Sequence, residues 1–209
     1  MANVDRLMPL IVPFLRGLTK VTQKGRRTQI AELPAAADRV VFLGDSITEM
    51  GMWDEWFPHL PTLNRGIGGE TVAEVMQRVE TSLLAPRAIS LLIGTNDLSG
   101  LGQSRNIEAI ALQMRALVKA IRAHAGATPL FINGVMPRSA FFSPRIRALN
   151  AHYQAIAAES GATYLDTWSV LASENGAIQP DFTADGIHLT GAGYRAWTQL
   201  LKPHLAPFG

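Results

Sequence analysis

Short apolar runs alternate along this chain with stretches of helical periodicity, and that alternation restricts it to few architectures. Arg39-Val40-Val41-Phe42-Leu43 reads as a buried strand stopping at Gly44. Thr62-Leu63-Asn64 reads as a short second strand, Ala88 to Ile93 as a third, Pro129 to Asn133 as a fourth and Thr163-Tyr164-Leu165 as a fifth. Between them, residues 71–84, 106–124 and 143–160 set apolar side chains three and four positions apart, the spacing of one helix face. Ser143-Pro144 supplies a cap and a first-turn proline for the last of these, and Gly161 its stop. A closing helix is expected over 191–201, ended by Pro203. Strands alternating with helices predict an α/β fold whose parallel sheet is covered on both faces. Such sheets hold ligands outside the carboxyl ends of their strands.

The chain has 209 residues and is 47% hydrophobic, enough for one globular domain with a full core. Its formal charge is only +2, and no basic block with interleaved aromatics suggests nucleic acid. Cysteine is absent, which excludes disulfides, thiolate metal sites and a cysteine nucleophile. No apolar stretch reaches the ~18 residues of a membrane span. Leu7 to Leu15 resembles a short signal-peptide core, but Pro9 and Pro13 interrupt it and no small-residue cleavage site follows. A cytoplasmic location is the expectation, with export as the alternative. Leu7, Ile11, Phe14, Leu18 and Val21 fall on one helical stripe. That helix either docks on the domain's own core or makes a homo-oligomer or surface contact.

Four polar segments follow the apolar runs: Gly44-Asp45-Ser46, Gly66-Ile67-Gly68-Gly69-Glu70, Gly94-Thr95-Asn96-Asp97 and Asp185-Gly186-Ile187-His188. The first three follow strands one, two and three and therefore belong on one rim of the sheet. A serine hydroxyl needs a base within hydrogen-bond reach before it can attack. His188 is the candidate base, and Asp185, three residues earlier, can reach the imidazole and fix its tautomer. Attack on a carbonyl puts negative charge on oxygen, which preorganised donors must meet. The Ser46 N–H, an N–H of the glycine-rich turn and the Asn96 amide are the candidates.

Together with Asn64-Arg65 before the second segment and Thr71 after it, these four segments resemble the motif blocks of the SGNH (GDSL-type) hydrolases. The second and third look most like the branch related to the platelet-activating-factor acetylhydrolase catalytic subunits. The resemblance spans residues 39 to about 200. It implies a flavodoxin-like three-layer α/β/α sandwich with a five-stranded parallel sheet, and carboxylic (acyl or acetyl) ester hydrolysis through an acyl-serine intermediate. By position, Ser46 resembles the nucleophile, Gly69 and Asn96 the oxyanion residues, and Asp185 and His188 the rest of the triad; Gly68 is the fallback for Gly69. Ile47 stands where the family usually has leucine. No metal or organic cofactor is implied. The expected division is a helical extension over 1–38 and a single hydrolase domain over 39–209, acting on a small-molecule ester.

Plainer readings stand beside these. Ser46 could only cap a helix, Asp45 brace a turn and Asp97 hold a loop. Asp185 and His188 could ligate a metal, but no third ligand stands out. The glycine-rich segment lacks the dinucleotide fingerprint, since Thr71 occupies its last position. Trp53, Trp56 and Phe57, with Met50 and Met52, either line an acyl pocket or pack the core, and Phe141 is a candidate substrate contact on the same rim. Arg138 meets a polar head group or solvent. An acyl transferase and a non-catalytic ligand-binding module are the rival functions.

Overall fold

The computed structural model describes residues 17, 20–33, 35–99 and 106–209. Five parallel strands form the sheet: β1 (Val40–Gly44), β2 (Thr62–Gly66), β3 (Ala88–Leu92), β4 (Leu130–Asn133) and β5 (Thr163–Leu165). Their order is β2-β1-β3-β4-β5. The order reverses at β1, so the crevice between the ends of β1 and β3 is the place such a sheet offers a ligand. Register aligns Gly44 with Gly66 on one side and with Leu92 on the other. The three loops that carry Ser46, Gly69 and Asn96 therefore leave the sheet at one level.

Alternation along each strand builds two cores. Val41, Leu43, Ile89, Leu91 and Ile132 face one side. There they meet α4 (Val72–Met76), α5 (Val79–Ser82), α7 (Ile107–Ala125) and α8 (Ser143–Ser160). Val40, Phe42, Ala88 and Phe131 face the other, against α3 (Trp53–Trp56), α9 (Thr167–Leu171) and α10 (Gly191–Leu205). The remaining short helices, α2 (Ser46–Glu49) and α6 (Thr95–Leu98), start at the carboxyl ends of β1 and β3. Residues 20–32, here α1, are helical and lie outside the sheet sandwich's strand–helix alternation.

Several elements depart from the periodicity that suggested them. The helix expected over 71–84 is broken into α4 and α5. Arg78 at the break has φ −124° and ψ 18°, and its guanidinium is drawn inward to Glu70 and to the Gly44 carbonyl. Helix α10 runs through Pro203 to Leu205 instead of ending before it. Leu201 and Leu205 are both fully buried, and the carbonyl that the proline leaves free belongs to exposed Gln199. Ser143 is the first residue of α8 and not its cap, a position held by Phe142 without a side-chain bond. Gly161 does stop that helix, in the left-handed conformation. Among the stripe residues proposed for the N-terminal helix, Leu7, Ile11, Phe14 and Leu18 lie outside the described residues. Val21 is 72% exposed, so it is not part of a buried stripe; Gln23 and Ile30 are the buried members of α1.

Among the described residues no helix is long and apolar enough to cross a membrane.

Candidate active site

Asp45 ends the turn after β1 and caps α2, its Oδ1 accepting the Ile47 N–H at 3.0 Å. This makes Ser46 the first helical residue and half-buries it at the rim. Tyr194 fastens the same helix from α10 through a 2.6 Å bond to the Ile47 carbonyl. The Ser46 Oγ lies 2.9 Å from His188 Nε2. On the far side of the imidazole, Nδ1 is 2.6 Å from Asp185 Oδ2.

The loop carrying the last two residues is held by Asp185 itself. Its Oδ1 accepts the Ile187 N–H at 2.9 Å and the His188 N–H at 2.8 Å, leaving Oδ2 for the ring. Burial pushes the Asp185 pKa up, but the bonds from the His188 ring and from the two backbone N–H groups outweigh it, and the pKa falls to about 2. An ionised carboxylate only accepts, so Nδ1 carries the proton. In the neutral ring Nε2 then presents its lone pair to the Ser46 hydroxyl. Thr183, which lies outside every motif segment, closes this loop by donating to the His188 carbonyl at 2.8 Å and accepting from Gly186 N–H.

Facing this chain are the two other loops. Gly69 has φ +75°, which a residue with a Cβ rarely adopts. Among the described residues no acceptor takes its N–H or that of Ser46. Gly68 differs: its N–H donates to Glu49 Oε2 at 2.6 Å, so it is occupied. Asn96 enters from α6, after Gly94 at φ +124°, where an added Cβ would meet the Tyr153 hydroxyl at 2.7 Å. One Asn96 Nδ2 proton goes to the Glu70 carbonyl at 2.8 Å, which leaves the second free. Glu70 is fully buried between Arg27 and Arg78.

Asp45 and Asp97 lie behind the site. Asp97 Oδ2 accepts the Val72 N–H at 3.2 Å and ties α6 to the start of α4. Burial pushes both carboxyls up to about 7, only partly offset by their backbone hydrogen bonds. Neither touches the reacting groups.

The aromatic candidates separate. Trp53 is 2% exposed, stacked on Phe42 at 3.9 Å and edge-on to Trp197, with its indole N–H on the Thr48 carbonyl. That makes it a core residue and corrects the pocket assignment: a side chain closed in on both ring faces has no surface to offer a ligand. Trp56 is half-buried against the same core. Phe141 is 81% exposed on the rim segment after β4, with Phe142 edge-on to it. Arg138 covers the Phe142 ring at 4.1 Å and donates to Ser99 Oγ at 2.6 Å. Among the described residues no group of three or more histidines and carboxylates could hold a metal ion.

Residues 42–196 match the GDSL-like lipase/acylhydrolase family. The alpha2 subunit of platelet-activating factor acetylhydrolase IB from Homo sapiens is 30% identical over 176 residues, 78% of this chain and 73% of that one. A GDSL-like lipase from Bacteroides thetaiotaomicron superposes with a TM-score of 0.76 at 25% identity, covering 88% of this chain and 97% of that one. A Streptococcus pneumonia protein assigned as a platelet activating factor has the same fold, with a TM-score of 0.84 at 24% identity over 94% of this chain and 99% of its own. The chain belongs to the GDSL-like lipase/acylhydrolase family and is an esterase-type hydrolase.

Proposed function

We propose that this protein hydrolyses small acyl or acetyl esters through a covalent acyl-serine intermediate formed on Ser46. The observation that carries the reading is the unbroken chain from Ser46 Oγ through the His188 ring to the Asp185 carboxylate, at 2.9 and 2.6 Å. In the first half-reaction His188 Nε2 takes the Ser46 proton as Oγ bonds to the ester carbonyl carbon. The carbonyl oxygen becomes an oxyanion, and Ser46 N–H, Gly69 N–H and the free Asn96 amide proton are the donors that meet it. Asp185 stabilises the imidazolium and holds its tautomer. Collapse breaks the ester C–O bond, and the alcohol leaves with the proton from His188. In the second half-reaction water gives a proton to His188 as it bonds to the acyl carbon; collapse breaks the bond to Ser46 Oγ, which takes that proton back from His188 as the acid leaves.

Gly69 is favoured over Gly68 as the glycine donor because the Gly68 N–H is already bonded to Glu49. Phe141, exposed on the segment after β4, is proposed to contact the substrate. Side chains supply every proton transfer in this scheme, which gives no metal or cofactor a role.

Ser46→Ala tests the proposal. The variant is expected to stay folded by circular dichroism and to lose turnover of a short nitrophenyl ester, and the wild type is expected to react with a fluorophosphonate on Ser46. Wild-type-like turnover in the alanine variant would refute the assignment.

A further inference from the structure

We infer that α1 is a working part of the catalytic domain, in which Arg26 and Arg27 are positioning residues that brace the oxyanion donors from behind. The inference rests on the oxyanion roles proposed above for Gly69 and Asn96.

Two relays run from α1 to those donors. In the first, the Arg26 Nε lies 3.6 Å from Glu49 Oε1, and the other oxygen of that carboxylate accepts the Gly68 N–H at 2.6 Å. A charge-assisted bond this short fixes the Ile67–Gly68 peptide, and the Glu70 N–H closes the same turn onto the Ile67 carbonyl at 3.3 Å, so the two bonds together hold the turn in which the Gly69 N–H lies. Arg26 also reaches the Gly66 carbonyl at 3.4 Å and the Asn64 carbonyl at 3.5 Å, so it holds the end of β2 from which the turn leaves. In the second relay, Arg27 Nε donates to Glu70 Oε1 at 2.9 Å, with Nη2 equally close to the same oxygen. Arg78 takes Glu70 Oε2 at 2.7 Å and the Gly44 carbonyl at 3.2 Å. The backbone carbonyl of Glu70 is the acceptor that orients the Asn96 amide. A buried carboxylate that shares its charge between two arginines thus sets where Asn96 points.

Packing alone does not explain how α1 is attached. Of residues 20–33 only Gln23 and Ile30 are buried. A cavity of about 220 Å³, lined in part by Arg27, Ile30, Ile67 and Thr81, lies between α1 and the body of the domain. The helix is held mainly by its arginines and, at its end, by a 3.0 Å bond from buried Arg65 to the Leu33 carbonyl. The partners of Arg26 and Arg27 are Glu49 of α2, which begins with Ser46, Asn64 and Gly66 at the end of β2, Glu70 beside Gly69, and Glu74 of α4.

The test is ester turnover by the full chain carrying Arg26→Ala, Arg27→Ala, Arg27→Lys, Asn96→Ala and the double Arg27→Ala/Asn96→Ala. Either arginine-to-alanine change is expected to lower kcat by about 10-fold to 10²-fold, the size of a small misplacement of reacting groups. KM should stay within about two-fold, because ground-state binding is untouched. The acid limb of the pH–rate profile should not move, since the triad is intact. Arg27→Lys should recover part of the loss. In the Asn96→Ala background Arg27→Ala should cost clearly less, because its target has been removed. Unchanged kcat in both alanine variants, or an undiminished loss in the Asn96→Ala background, overturns the inference, as does a fall in kcat that only tracks the folded fraction. If Arg26→Ala does not fold, Glu49→Gln tests the same relay: it keeps an acceptor oxygen for Gly68 but loses the charge facing Arg26, and should show the same kcat defect. A wild type without esterase turnover, or a fully active Asn96→Ala, would sink the oxyanion reading itself. Impaired Asn96→Ala with unaffected arginine variants sinks only the brace.

Discussion

Asn96 shows how much one side chain has to satisfy at this site. Its amide nitrogen gives one proton to the Glu70 carbonyl, and in the proposed scheme the other meets the oxyanion. Asn96→Ala removes the free donor and the anchor together. We expect kcat to fall by about 10²–10³-fold on a nitrophenyl ester, with residual turnover from the two backbone donors. Steady-state kinetics decides it, and a loss below about 3-fold would remove Asn96 from the oxyanion site. Ser46, Asn96, Asp185 and His188 stand out as candidates in the sequence because each sits in a short polar segment whose chemistry is local. Asp185 and His188 are only three residues apart, so their contact is nearly a property of the turn. Trp53 was not legible in this way. An aromatic beside a nucleophile reads equally as pocket wall or as core, and only its stacking on Phe42 decides between them.

At the scale of elements, the close approach of α2 to β2 and of β3 to β1 depends on two glycines without side chains. A Cβ on Gly66 would lie 2.1 Å from the Glu49 nitrogen, and one on Gly44 would lie 2.2 Å from the Leu92 carbonyl oxygen. Both obstacles are backbone and cannot swing aside. Gly66→Ala is therefore expected to destabilise the fold by about 1–3 kcal/mol or more and to push α2, with Ser46, away from the glycine turn. The shift would appear as a lower denaturant midpoint and a lower kcat; a variant matching the wild type in both would show that α2 yields without cost. Periodicity located all five strands, yet it joined α4 to α5. The break at Arg78 comes from a buried ion pair with Glu70, which no helical pattern reports.

Across the whole molecule, the buried carboxyls set how stability follows pH. Asp45 and Asp97 titrate at about 7 in the folded protein, well above the 3.8 of the free side chain. Between those values the folded chain keeps protons that the unfolded chain has lost. Their contribution is therefore most favourable below about pH 4, declines as pH rises toward 7 and is flat above it. Asp185 has the opposite sign, adding stability above about pH 4 that is lost as pH falls through about 2. Its effect is small because the side chain is half exposed. Asp97→Asn keeps an acceptor for the Val72 N–H and removes the charge. It should raise Tm by a few degrees at pH 8 and hardly at all at pH 4.5. An equal gain at both pH values, or none at pH 8, would show that Asp97 is not a buried charge at neutral pH.

Sequence alone determined the five strands, the parallel sheet they imply and which polar groups are the candidates for the chemistry. Those follow from local periodicity and from side-chain chemistry, which the chain carries wherever it goes. The tertiary structure decided which glycine N–H is already bonded, the burial of Trp53, the break at Arg78 and the attachment of α1 through Arg26 and Arg27. Each depends on which donor meets which acceptor across tens of residues, such as Gly68 with Glu49 or Arg27 with Glu70, and a linear pattern does not encode such pairings.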